Sequence, residues 1–316
     1  MAMPALLLRR LLGAVPLLLV VSFAVFLLVG LAPGDPAARI AGENSTPERI
    51  EEIRKALNLD APLLERYAYW VADAVRGDFG RSLATTEPVI DLMARRVPIT
   101  LSLTALALVV SIVLGMIGGI AAAVWRNGIT DRIVTALASL GLALPSFWVA
   151  LILVVPLAIE RNWFPALGYE PLSDGFGPWL RSLTLPAVTL ALLPSAEMAL
   201  QVRAALIETL EKDYIVAARA RGLSAASITL KHALKNAAIP VVTVLGFRIA
   251  QLLGGSVIIE SVFALNGLGT LAITAALASD MPVLLGLTMV TTLAVVVVNF
   301  LVDASYLYFN PRGRGA

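Results

Sequence analysis

Six stretches of this chain are apolar for about the thickness of a bilayer's hydrocarbon core, which takes roughly 20 helical residues to cross, and no other feature restricts the fold as much. They cover residues 11–31, 99–124, 133–159, 183–202, 237–262 and 283–302. In hydrocarbon each backbone N–H and C=O must find its partner within the protein, so each stretch is expected as a helix. Composition agrees: 59% of the 316 residues are hydrophobic and 15% are charged, where a water-soluble domain carries about a quarter charged. The first stretch is too long for a signal-peptide core, and Pro33 directly after Gly30-Leu31-Ala32 disfavours cleavage there, so it reads as a retained helix. The expected fold class is an all-α integral membrane protein with six transmembrane helices.

Orientation follows from Arg and Lys in the short loops. Arg9 and Arg10 precede the first span, Arg126 and Arg132 flank the turn between the second and third, and Arg312 and Arg314 close the sequence. Arg203, Lys212, Arg219, Arg221, Lys231 and Lys235 lie between the fourth and fifth. With six spans all these segments fall on one side, which must be the cytoplasm, so a multi-pass membrane protein with both termini in the cytoplasm is expected. The net charge of +2 gives no reason to expect nucleic acid as a partner; membrane lipid is the expected surroundings. The chain has no Cys and a single His, His232, which excludes disulfides, thiol nucleophiles and multi-His metal sites.

Three regions follow: an N-terminal transmembrane helix over 1–32, an extracytoplasmic helical insertion over 33–98 and a transmembrane domain over 99–316 that contains a cytoplasmic loop at 203–236. In the insertion, Thr46-Pro47-Glu48 is an N-cap, a proline at the first helical position and an acid in the first turn of a helix reaching about Leu57. A second helix starts after Asp60-Ala61-Pro62 and ends at Gly77, with Leu63, Leu64, Tyr67, Trp70, Val71 and Ala74 as its apolar stripe. That stripe either packs on the protein's own membrane helices or receives a partner.

The loop between the fourth and fifth spans is the most informative segment. Asp213 to Ala220 reads as a helix of small residues, Gly222 suits a left-handed C-cap, and Ser224 is placed to N-cap a second short helix. Lys231, His232 and Lys235 sit where cations complement a helix C-terminus. This helix-turn-helix resembles the Glu-Ala-Ala…Gly signature of ATP-binding-cassette importer permeases, and specifically the B-type permease subunits of bacterial dipeptide, oligopeptide and nickel importers. Ala217, Ala218 and Gly222 match the signature, Val216 stands where its general form has Glu, and His232 to Ala237 resembles the peptide branch's ending. The likeness continues through Ala32 to Pro36, Gly77 to Ser82, Arg96 to Thr100, Leu144 to Trp148, Glu260 to Ala264, Gly267-Leu268-Gly269, Asp280-Met281-Pro282 and Asn299 to Arg312.

The resemblance implies a transport subunit rather than an enzyme, forming half of the translocation path for peptides or similar small solutes. Its implied partners are a related C-type permease, two ATPase subunits and an extracytoplasmic solute-binding protein. Tyr214, Ala217, Ala218, Arg219, Arg221, Gly222, Leu223 and His232 would then form the coupling segment against the ATPase. No Gly-x-x-x-x-Gly-Lys-Ser/Thr phosphate loop occurs, so ATP and Mg are expected in the partner ATPases and no cofactor in this chain. A secondary, ion-coupled transporter is the alternative, against which stand the lack of a visible inverted repeat and of an Asp, Glu and His relay within the spans. An intramembrane protease lacks a His-Glu-x-x-His motif.

Charges within spans are costly and mark functional or paired positions. Glu260 and Asp303 stand near span ends, where water or loops are expected to reach them. Glu197 and Arg248 lie deeper, both roughly 10 to 17 Å from the cytoplasmic ends of their spans at 1.5 Å per residue. They are expected either to pair with each other or, for Arg248, to face the path and meet solute carboxylates. Pro145, Pro186, Pro194 and Pro240, with Gly115, Gly118, Gly119, Gly254 and Gly255, read mainly as packing positions, and Gly254-Gly255 as a close crossing with a partner permease.

Overall fold

The computed structural model describes residues 3–30, 36–41, 45–56, 60–234, 248 and 251–309. Among them the chain is helical, and the one extended pairing is an antiparallel bridge between Arg81 and Pro88. The helices are α1 (Met3–Gly30), α2 (Pro36–Ala41), α3 (Pro47–Ala56), α4 (Leu63–Val75), α5 (Val89–Val124), α6 (Ile129–Ala143), α7 (Ser146–Val154), α8 (Phe176–Leu210), α9 (Asp213–Ala220), α10 (Ala225–Ser227), α11 (Gln251–Val262), α12 (Leu268–Leu277) and α13 (Met281–Phe309). Wider π-type turns continue α7 over Val155–Glu160 and α10 over Ile228–Ala233. The 32–35 motif, Lys235, most of the fifth expected span with Pro240, the 310–312 ending and the Asp303 side chain lie outside the described residues.

The chain divides into two compact units, Ile99–Asn266 with Val297–Ala316, and Ala2–Pro98 with Gly267–Val296. The first is organised around α8, whose residues Leu183, Leu190, Ala191, Met198, Val202 and Leu206 are all buried. Without a hydrophobic driving force between helices in lipid, close backbone approach supplies the contact. On α5, a Cβ at Gly119 would lie 2.6 Å from the Ala199 carbonyl oxygen, and one at Gly115 would lie 2.6 Å from Met198 Cγ. On α6, a Cβ at Gly141 would sit 3.1 Å from Ala196 Cβ. The residues at 254–255 divide: Gly255 faces Leu190, while Gly254 has no neighbour within 4 Å.

The third expected span is not one straight helix. α6 and the helix from Ser146 to Glu160 meet at 104°, with Leu144 and Pro145 extended between them (ψ 130° and 132°). The ring of Pro145 disfavours helical backbone at Leu144, and α6 ends there. The second and fourth helices extend well beyond their apolar stretches, since α5 starts at Val89 and runs through Pro98, and α8 runs from Phe176 to Leu210. Glu260 also departs from expectation. It is 0% exposed and accepts a 2.6 Å hydrogen bond from Thr100 Oγ1 of α5.

In the second unit, the α4 stripe packs on the chain's own α1. Tyr67 donates to the Leu19 carbonyl at 2.9 Å, lies 2.8 Å from Ser22 Oγ and meets the rings of Phe23 and Phe26 edge-on. Leu64 leaves the stripe and is exposed. Val89, Leu92 and Met93 at the start of α5 share a buried cluster with Leu268, Leu271 and Ala275 of α12 and Val283 and Leu287 of α13. Beside it the buried Asp280 carboxylate holds the 82–84 turn, accepting from Ser82 Oγ at 2.5 Å, Leu83 N–H at 3.1 Å and Ala84 N–H at 3.3 Å. Two motifs noted separately in the sequence, 77–82 and 280–282, thus form one structure.

The α5–α8 crossing makes a direct prediction. Gly119→Ala places a methyl against backbone and costs about 1–3 kcal/mol, whereas at Gly118 the added Cβ meets only ordinary contacts, at 3.5 Å and beyond. Thermal unfolding of the detergent-purified protein should show Gly119→Ala melting lower and Gly118→Ala near wild type.

Candidate functional site

The loop after α8 folds as a compact hairpin built on its small residues. Lys212 is extended and α9 starts at Asp213. Its C-terminus closes through two backbone bonds, Gly222 N–H to the Arg219 carbonyl (2.9 Å) and Leu223 N–H to the Ala218 carbonyl (3.3 Å), with Gly222 at φ +78°. This is the Schellman arrangement, which satisfies carbonyls that a helix end otherwise leaves unpaired. The Ser224 side chain then accepts from Ser227 N–H and caps α10.

The hairpin has two faces. Ile215 and Ala218, with Ile228 and Ala233, are buried in a cluster with Ala123 of α5 and Met198, Val202 and Leu206 of α8. On the other face Tyr214, Val216, Ala217, Arg219, Arg221, Gly222, Leu223, Leu230 and His232 are exposed. Of the residues singled out in the sequence, Ala218 therefore anchors the hairpin to its own bundle, and the other seven are open at the surface.

Two ion pairs flank this seat. Arg203 on α8 holds Asp131 at the start of α6 with two prongs, Nε to Oδ1 at 2.5 Å and Nη2 to Oδ2 at 2.9 Å. The Asn127 N–H adds a 2.9 Å bond to the same carboxylate, whose side chain is 6% exposed. Both residues lie just outside the apolar stretches 133–159 and 183–202. The Arg203 hydrogen bonds, then that of Asn127, hold the Asp131 carboxyl well below the usual carboxylate range, and Asp131 raises the Arg203 guanidinium in return. Arg126 pairs with Glu211 at the surface. Sequence reasoning counted Arg203 and Arg126 only as loop charges; no spacing rule links them to acids 72 and 85 residues away.

Deeper in the same unit Arg248 Nη1 and Glu197 Oε2 are 2.6 Å apart, with 23% and 24% of their side chains exposed. Arg248 also donates to Gln251 Oε1, one turn along. Arg248 Nε and Glu197 Oε2 nevertheless lack a well-directed hydrogen bond. The two charges are in contact, and about a quarter of each side chain stays accessible.

Comparison with known proteins covers nearly the whole chain. Residues 111–315 match the family model described as binding-protein-dependent transport system inner membrane component, and residues 3–104 match the model for the N-terminal part of such components. A protein of Brucella abortus (strain 2308) named for a peptide transport system permease is 42% identical over 312 residues, covering 99% of each chain. The glutathione transport system permease protein GsiC of Escherichia coli (strain K12) is 39% identical over 306 residues, covering 97% of each. Among solved structures, an inward-facing MetNI methionine ABC transporter chain superposes with a TM-score of 0.59 at 22% identity, covering 72% of this chain and all of that one, a likeness of fold.

The Asp131–Arg203 pair predicts a pH signature. A depressed folded pKa contributes stability that is fully present above the ordinary carboxylate value, about 4, and is lost as pH falls through the folded value. Asp131→Asn should lower the melting temperature at pH 7, and the gap to wild type should narrow only as the pH drops below about 4. A gap that is constant from pH 7 to 3 would show that the pair's charge contributes nothing to stability.

Proposed function

The chain belongs to the binding-protein-dependent transport system inner membrane components, and from that premise we propose that it forms half of the path by which an ATP-driven importer admits peptides, moved by partner ATPases through the α9–α10 hairpin. It is a permease subunit of an ABC importer and not an enzyme; hydrolysis is the work of a separate ATPase subunit. This reading displaces the ion-coupled transporter, because family members work with a binding protein. The observation that carries the coupling role is the division of the hairpin: one face is fixed to α5 and α8, and the opposite face offers Tyr214, Ala217, Arg219, Arg221, Gly222, Leu223 and His232 to a partner.

The finer picture supported by charge and hydropathy is six spans with both termini in the cytoplasm, the 33–98 insertion outside and the 203–236 loop inside. The partners are a C-type permease, two ATPases holding ATP and Mg, and an extracytoplasmic binding protein. The names of relatives support a peptide as solute: they include a peptide system and a glutathione system. Closure of the ATPases around nucleotide pushes the hairpin and biases the bundle between inward-open and outward-open states. Glu197 and Arg248 act first as an internal pair. Their partial exposure also allows Arg248 to meet a solute carboxylate.

Replacing Gly222 tests the coupling role. At φ +78° a β-branched side chain is strained by about 1–3 kcal/mol, and the turn that aims the exposed face is distorted. Gly222→Val in the reconstituted complex should keep ATP hydrolysis and lose solute import; full, solute-stimulated import would sink the assignment. For the deeper pair, Glu197→Gln or Arg248→Gln alone leaves a charge without its partner and should cost about 3–5 kcal/mol of bundle stability, with the double variant recovering most of it. If Arg248→Gln instead leaves melting unchanged and selectively weakens import of anionic peptides, the path-facing role holds.

A further inference from the structure

The hairpin seats on α5 and α8, yet a change of access has to reach other helices. α6 packs on α8 through small residues, with Gly141 against Ala196. At the cytoplasmic end the contact changes character. Asp131 is almost fully buried and receives two prongs from Arg203, the Asn127 N–H and a longer contact from Thr135 Oγ1 at 3.4 Å. Arg203 is 29% exposed and Asp131 6%, so a slip along the helix would strand the buried carboxylate without its two-pronged partner. Arg203 is one residue from Val202 and three from Leu206, both in the cluster that carries Ile215 and Ala218 of the hairpin.

We propose that Asp131 and Arg203 form a clamp that passes displacement of the α9–α10 hairpin from α8 to α6, making both positioning residues for ATP-driven gating. The clamp engages the first turn of α6, and that helix ends at the Leu144-Pro145 break, where the chain turns through 104°. Movement taken up by the clamp therefore arrives as a rigid displacement of α6 at a bend already present. The Arg126–Glu211 pair ties the turn before α6 to the end of α8 at the surface and adds little, since exposed pairs are weak. The proposal rests on the hairpin being the coupling segment.

The test uses the whole complex in proteoliposomes, with a labelled dipeptide and glutathione as probes, and measures import per ATP hydrolysed. Asp131→Asn should keep hydrolysis while the ratio falls at least about fivefold, the lower end of typical coupling effects. Asp131→Glu, which keeps the charge, should recover part of it. Asp280→Asn, which weakens a buried carboxylate clasp in the other unit, serves as the control for stability alone and should leave the ratio within about twofold. If Asp131→Asn lowers the ratio no more than Asp280→Asn does, the clamp is only structural and the proposal is overturned. Should Asp131→Asn fail to assemble, Arg203→Lys retains the charge without the two-pronged contact, and an unchanged ratio there overturns it equally. Gly222→Val run in parallel separates the two readings. Loss of coupling in Gly222→Val with none in Asp131→Asn refutes the clamp alone, whereas full coupling in Gly222→Val refutes the hairpin's role.

Discussion

The approach of α5 to α8 at Gly115 and Gly119 sets the geometry of the first unit. A Cβ at Gly119 would meet the Ala199 backbone carbonyl and one at Gly115 the Met198 side chain, so α5 lies against the α8 backbone at Gly119 and against its side chains one turn earlier. That contact brings Ala123, one turn further along α5, beside Val202 and Leu206 of α8, and these residues form the floor on which Ile215 and Ala218 rest. The turn after α5 is short, with Asn127 at φ +62°, so α6 begins where Asp131 reaches Arg203. A displaced crossing would move the hairpin's seat and its flanking ion pair together.

Buried charge is treated differently in different parts of the molecule. Asp280 collects three directed donors and Asp131 four, backbone N–H groups among them, and such networks rigidify their surroundings. Glu197 and Arg248 touch at 2.6 Å without that completeness, since Arg248 Nε is left over and its Nη1 is shared with Gln251. An incompletely satisfied pair at membrane depth is costly.

What was legible in the sequence was local. Thr46 followed by Pro47, Gly222 and Ser224 each solve a chain-end problem within a few residues, and the structure has a helix boundary at each. Long apolar stretches identified helices, but their ends were misjudged wherever helical turns continue past the apolar run, as at Val89 and Leu210. Proline was ambiguous: Pro98, Pro186 and Pro194 lie inside continuous helices, while Pro145 breaks one. The local preference of a proline ring against helical backbone before it is the same in all four, and it is followed at Pro145 alone of these. The partners of Asp131, Asp280 and Glu260 were invisible because each lies 72 to 198 residues away, and a single sequence carries no signal that joins them.

The hairpin's small residues answer two demands at once. Ala218 is small and buried where α9 lies against α8, and Ala217 beside it is exposed, where the proposed ATPase contact would need the same closeness. Val216 stands exposed on that outer face where related signatures carry Glu, together with Tyr214, Leu223 and Leu230. Arg219 and Arg221 border it. An acid there would favour a charge-steered contact; valine shifts the balance toward apolar burial with a basic rim. Contiguous apolar surface in water is unfavourable until it is covered. Under the proposed coupling role, binding to an ATPase groove would gain free energy from the same residues that make the uncovered hairpin costly, which would suit the segment to a permanent contact rather than to one that forms and dissolves in each transport cycle.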